Sequence, residues 1–199
     1  DRHRAERKKA AVQFGFAPGR IHFVDHHTAH AAGAYYGWGR FDEPILVLTN
    51  DGAGDGLCAS ASIGEGGRLR RLAAVPESES VGNIYAMITF LMGMVPLEHE
   101  YKLMGMAPYA SEKSSRQVYE MFRRLLEFRT DDPLLWERRN GCPETYYSYD
   151  FFREMLELKR FDAVCGGLQM FAEDMLSTWV RNAIQKTGIR NVALSGGCF

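Results

Sequence analysis

Long apolar runs, an excess of either charge and paired cysteines are all missing from this 199-residue sequence. With no stretch of about 18 apolar residues there is no candidate membrane span, and the first twenty positions lack the apolar centre of a signal peptide. A cytoplasmic protein with no membrane partner is therefore expected. The 24 basic and 25 acidic residues leave a net charge of −1, which excludes a polybasic nucleic-acid-binding protein. Cys58, Cys142, Cys165 and Cys198 are scattered without a CxxC pair, which disfavours both a zinc site built on thiolates and a disulfide framework.

What is present suits a folded domain: 46% hydrophobic and 25% charged residues, near the average for globular proteins, and enough chain to build a core. The opening DRHRAERKKAAVQFGF reads as a solvated helix. Arg20 to Val24 alternates as a short strand, and Asp25 then caps a helix, HHTAHAAGAYYGW, that ends at Gly37 and Gly39. Pro44 to Asn50, LCASASIGEG and RLRRLAAVP predict three strands in an antiparallel meander, with a turn at Gly64 to Gly67. Helices are expected over Ile84 to Met94, Ser114 to Arg129 and Gly167 to Thr187, the last with Leu168, Phe171, Met175, Leu176, Trp179, Val180 and Ile184 on one face. A strand, NVALS, closes the pattern. No internal repeat occurs, and a meander followed by helices and a late strand predicts an α/β or α+β domain with mixed strand directions. Asp131 to Phe152, rich in Pro, Gly and Tyr, reads as a lid, a lobe connector or a packed insertion. Its Tyr and Trp residues, like Trp38 in Gly37 to Pro44, either stack on a sugar or fill the core.

Three constellations carry candidate chemistry. In Asp25-His26-His27-Thr28-Ala29-His30, a helix places His26 and His30 one turn apart on one face, the spacing by which two imidazoles hold a divalent metal, with His27 turned away. A carboxylate from elsewhere would complete a two-His, one-carboxylate site; equally, the pair is a surface pair with no ligand. In Thr49-Asn50-Asp51-Gly52-Ala53-Gly54-Asp55-Gly56, glycines let backbone N–H groups approach phosphate oxygens and Asp51 can hold a metal or its water, although a plain hairpin also prefers Asp-Gly. In the stretch from Leu97 to Tyr109, Glu100 and Lys102 precede a Gly and a Pro, so Lys102 either meets an anionic ligand or forms an ordinary surface pair.

The words DHHTAHAAGAYY, LTNDGAGDG, VGNIYAMITFLMG, EYKLMGMAPYA and LQ…NVALSGG, in this order, resemble the O-carbamoyltransferase family of nodulation- and antibiotic-type enzymes over roughly Gly19 to Phe199. The resemblance implies an actin/sugar-kinase/Hsp70-like (ribonuclease H-like) nucleotide-binding fold, related to the domain of tRNA threonylcarbamoyl transferases. It puts His26 and His30 at a metal, Fe²⁺ or another divalent ion. It puts Asp51, Gly52 and Gly54 beside the phosphate or carbamoyl group, Gly196 and Gly197 near the adenosine, and Glu100 and Lys102 in an EYK motif at the anionic end of the cleft. The implied reaction uses ATP with Mg²⁺ and carbamoyl phosphate to form carbamoyl-adenylate, and transfers the carbamoyl group to a hydroxyl of a sugar, aminoglycoside or polyketide-like acceptor, with Asp51 and Lys102 as catalytic candidates. A homodimer is compatible with it.

Asp55, Ala110 and Ser195 depart mildly from the family pattern. The resemblance further makes residues 1–199 the central piece of a longer catalytic domain, with the first phosphate strand before it, the Asp that completes the metal site after Phe199, and the adenylate-forming domain outside it. Two alternatives stay open: a hydrogenase-maturation or tRNA-type carbamoyltransferase, against which EYKLMGMAPY speaks, and a non-catalytic nucleotide- or metal-binding module of the same fold.

Overall fold

The computed structural model describes residues 2–199. Strand β1 (Ile45–Gly54) is the centre of a four-stranded sheet of order β3-β2-β1-β6, in which β2 (Leu57–Glu65) and β3 (Arg68–Pro76) run antiparallel as the expected meander and β6 (Val192–Ser195) lies parallel to β1. The sheet is therefore mixed and the domain is α/β. Ile45 to Asn50 are all buried because both faces of β1 are covered. Ile45 and Val47 pack with Ala31 and Tyr35 of helix α2 (His26–Trp38), while Leu46 and Leu48 join the main core. Period-two alternation along one apolar strand thus feeds two separate clusters.

The main core is closed by α3 (Val81–Leu91), α4 (Glu100–Met106), α5 (Glu112–Phe122), α6 (Tyr149–Met155) and the long α7 (Phe161–Thr187). Helix α7 turns Leu168, Phe171, Met175 and Trp179 inward, as its spacing predicts, and Gly167 lets Val118 of α5 approach so closely that a Cβ would sit 2.6 Å from it. The N-terminal helix α1 (Arg2–Gln13) buries no residue, as expected of a solvated helix.

Three expectations are corrected. The strand over Arg20 to Val24 does not form: Arg20 ends a short 3-10 turn (Pro18–Arg20), residues 21–25 belong to no strand, and among the described residues no strand offers them a ladder. The helix expected over Ser114 to Arg129 starts at Glu112 and stops at Phe122, because Leu126–Phe128 pairs as β4 with β5 (Trp136–Arg138). Helix α7 begins at Phe161, six residues before Gly167, since Ala163 to Gly166 are buried against the core rather than looped out.

Asp131 to Phe152 packs through Leu134, Trp136, Cys142 and Phe152, whereas Tyr146, Tyr147 and Tyr149 stay exposed and do not fill the core. Trp136 is 3% exposed, meets Trp179 edge to face at 5.3 Å, and donates its indole N–H to the Glu79 carbonyl at 2.8 Å. Trp179 donates to the Leu134 carbonyl at 3.0 Å. Each buried indole thus has its polar edge satisfied, which is the condition for Trp in a core.

Candidate functional site

Helix α2 starts where its sequence says it should. The Asp25 side chain accepts from the Thr28 backbone N–H at 2.9 Å and from the Thr28 hydroxyl, and Arg71 adds a bond at 2.8 Å. Partial burial works against its charge, but these bonds prevail and hold the Asp25 carboxyl at about 2. Gly39, at φ 75°, ends the helix.

The turn between β1 and β2 is made by Asp55-Gly56, both at positive φ (52° and 82°), with Gly54 facing Leu57 across it. That is the two-residue hairpin an Asp-Gly pair favours. Asp51-Gly52 is consequently released from any turn and lies in the strand, where the register slips between Asn50 and Gly54. Such an irregularity re-aims side chains. Here it accompanies a carboxylate set against the histidines: Asp51 Oδ2 is 2.9 Å from His26 Nε2 and 3.0 Å from His30 Nε2, and the two Nε2 atoms are 3.0 Å apart.

The structure thus joins His26, His30 and Asp51 into one cluster of three ligating atoms, half-buried and within 4.8 Å of one another. Two ring N–H groups can serve only two of the three contacts, whereas a cation satisfies all three lone pairs. Donors at right angles on bonds of about 2.1 Å lie about 3.0 Å apart, against about 3.4 Å in a tetrahedron, so this triangle suits one face of an octahedron. Asp51 Oδ1 accepts from the Gly52 N–H at 2.8 Å. Burial opposes ionisation of Asp51, but the bonds to His26, the Gly52 N–H and His30 outweigh it and its pKa is lowered. Ser195 of β6 reaches the far nitrogen of His30, Nδ1, at 3.3 Å.

Spacing alone could not show the Asp51 contact, because the carboxylate comes from a strand 21 residues beyond His30. His27 is fully buried instead of joining the cluster, and burial lowers its pKa. Two of the glycines expected at a ligand also have a packing role. A Cβ on Gly54 would stand 2.2 Å from His26 Cγ, and one on Gly196, at φ 110°, 2.1 Å from the Asn50 carbonyl oxygen.

Asp51 also lines a cavity of about 520 Å³. Gly52 and Gly197 share its wall, together with Val81, Gly82 and Tyr85 of α3, Glu100 and Met104 of α4, and Gln169, Glu173 and Leu176 of α7. Tyr85 donates to Gln169 Oε1 at 3.1 Å and Gln169 donates to Glu173 Oε1 at 2.8 Å, forming a polar chain along one side. Glu100 is therefore in the cleft. Lys102 is not among the lining residues; its ammonium lies 5.8 Å from the Tyr101 ring centroid. Sequence reasoning assigns the α3 and α7 lining residues no place at a ligand: Val81, Gly82, Tyr85 and Gln169 enter only as parts of family words, Leu176 only as a core-facing residue, and Glu173 not at all.

No helix among the described residues is long and apolar enough to cross a membrane. The chain is similar to nodulation protein NolNO of Sinorhizobium fredii, 32% identical over 200 residues, covering 94% of this chain and 27% of that protein. Nodulation protein NolO of Bradyrhizobium diazoefficiens is 29% identical over 185 residues, covering 87% of this chain and 31% of that protein. An uncharacterized protein of Methanocaldococcus jannaschii, MJ1051, is 39% identical over 87 residues, 44% of this chain and 16% of its own length. This chain thus spans less than a third of these relatives. The family model described as carbamoyltransferase N-terminus matches residues 9–199, and on a match of that extent the chain belongs to the carbamoyltransferase N-terminus family.

Proposed function

We propose that this chain forms the metal- and nucleotide-binding part of an enzyme that transfers a carbamoyl group from carbamoyl phosphate, through carbamoyl-adenylate, to a hydroxyl of a small-molecule or sugar-containing acceptor, on an actin/sugar-kinase/Hsp70-like fold. The observation that carries this reading is the convergence of His26, His30 and Asp51 on one point at the edge of a cleft that Gly52 and Gly197 also line. The family and the likeness to two nodulation proteins support the carbamoyl chemistry.

His26, His30 and Asp51 would hold a divalent metal, Fe²⁺ being the ion the resemblance implies. Bound there, it supplies a Lewis acid for a carbonyl or phosphoryl oxygen. In the transfer the acceptor oxygen bonds to the carbamoyl carbon, the bond from that carbon to the phosphate oxygen breaks, AMP departs and the hydroxyl proton is released. Asp51 has both oxygens engaged, so its part here is to hold the cation and leave proton removal to another group. Glu100 and Glu173 offer acceptors to ribose or sugar hydroxyls, and Val81, Met104 and Leu176 give the cleft an apolar wall for a flat ring. Among the described residues the cavity wall carries Glu100 and Glu173 and no lysine or arginine, and the cation proposed beside Asp51 would meet the ligand's negative charge.

Elemental analysis of the intact protein, purified anaerobically, tests this. Iron at about one equivalent, lost in the His26→Ala/His30→Ala double variant, together with AMP formed from ATP, carbamoyl phosphate and a hydroxyl acceptor, is the expected result. Equal metal in both proteins would remove the histidines from the site. Bound nucleotide without transfer would favour a non-catalytic module.

A further inference from the structure

We infer that His27 is the positioning residue of this site: clamped between β1 and β2, its ring sets the approach of His26 and His30 to Asp51. The inference rests on the proposed cluster but concerns a side chain outside it. His27 is 0% exposed and both its ring nitrogens are engaged. Nε2–H donates to the Leu57 carbonyl of β2 at 3.1 Å, because a carbonyl can only accept. Nδ1 is then the bare nitrogen, accepting from the Thr49 hydroxyl of β1 at 2.8 Å, and the Thr49 oxygen lies 2.7 Å from the Ser60 hydroxyl.

One imidazole therefore ties the helix that carries two donors to the strand that carries the third, at Thr49, two residues before Asp51. Helix α2 buries only His27, Ala31 and Tyr35, a single seam at four-residue spacing. Tyr35 secures its far half, accepting from the Gly67 N–H at 2.9 Å, and His27 is the fully buried polar link at the end where the donors sit. Side-chain tips lie about 6 Å from a helix axis, so a rotation of about 20° would move them about 2 Å. Contacts of 2.9–3.0 Å do not survive such a shift.

The test uses the intact protein as parent, His27→Phe, Thr49→Val and Thr49→Ser, at a temperature where circular dichroism shows all four folded. Two readouts are taken: Co²⁺ affinity from the visible absorption of the metal-depleted protein, and the metal-free rates of histidine carbethoxylation by diethyl pyrocarbonate, mapped by peptide mass spectrometry. His27→Phe should weaken Co²⁺ binding by about 10- to 100-fold, Thr49→Val by less, and Thr49→Ser should restore parental affinity. His26 and His30 should react faster in the first two variants while exposed His22 keeps its rate. A folded His27→Phe protein with parental Co²⁺ affinity and parental rates would overturn the inference. If His27→Phe does not fold, the Thr49 pair decides by the same criteria. If the parent takes up no Co²⁺, the metal reading fails and the carbethoxylation rates alone decide the positioning role.

Discussion

Gly54→Ala isolates the geometry of the three-donor cluster from the rest of the fold. Gly54 has no positive φ, so alanine meets no backbone strain, and its partner across the hairpin, Leu57, is unaffected. The added methyl would lie 2.2 Å from His26 Cγ, 2.3 Å from Cδ2 and 2.7 Å from Cβ. Carbon atoms rest at about 3.5–4.0 Å, so the ring must retreat by more than about 1 Å. Cβ is fixed by the backbone, so no torsion of the side chain relieves that contact; helix α2 has to move away at His26, which carries Nε2 out of contact with Asp51 and His30. Overpacking of this kind costs about 1–3 kcal/mol of stability. Loss of a correctly oriented ligand should weaken metal binding by about 10-fold or more. Co²⁺ titration together with thermal melting of the intact protein measures both. An unchanged Co²⁺ affinity in a folded Gly54→Ala protein would show that His26 is not held where the structure puts it. A Gly56→Ala control, at φ 82° and with nothing within 4 Å, should lower stability through turn strain and spare the metal.

Burial pushes the Cys198 thiol up to about 12 and that of Cys165 to about 11, and raises Cys58 and Cys142 as well. At pH 8 a thiol of pKa about 11 is ionised in about one molecule in a thousand, so Ellman's reagent should react slowly with the folded protein and find all four cysteines in guanidinium. Asp132 resists burial's upward push because Lys186 and the Leu134 N–H bond it at 2.8 and 2.9 Å, and its pKa falls. A depressed carboxylate contributes stability above its unfolded value of about 4 and loses it as pH falls through the folded value, so Asp132→Asn should cost about 0.5–1 kcal/mol of stability at pH 6, read as a lower Tm, and the difference from the parent should shrink as the pH falls below about 4. Trp136→Ala should cost about 3–5 kcal/mol in urea unfolding, since it opens the core and strands the Glu79 carbonyl.

Local signals were legible and tertiary ones were not. The Asp25 cap, the meander and the inward face of α7 follow from capping chemistry and periodicity, and all are present. Arg20 to Val24 has strand alternation but no neighbour to pair with, which no local pattern reveals. Two Asp-Gly pairs stand four residues apart, and only the backbone tells that Asp55-Gly56 makes the turn and Asp51 the contact with the histidines. Glu173 and Gln169 reach the cavity because α7 packs beside α4, a neighbourhood their spacing does not encode.

The two faces of the sheet are unequally held, and this bears on how the site opens. Behind α2 the buried cluster is Ala31, Tyr35, Ile45 and Val47, whereas the other face draws on five helices and the β4–β5 hairpin. Lifting α2 away exposes little apolar surface, so its amides should exchange with solvent through a sub-global opening of lower free energy than the one that frees β1 and β2. Two of the three donors therefore ride on the most easily detached layer of the domain. A cation that binds only the closed layer would slow that exchange in proportion to its occupancy, making α2 a reporter of site occupancy independent of turnover.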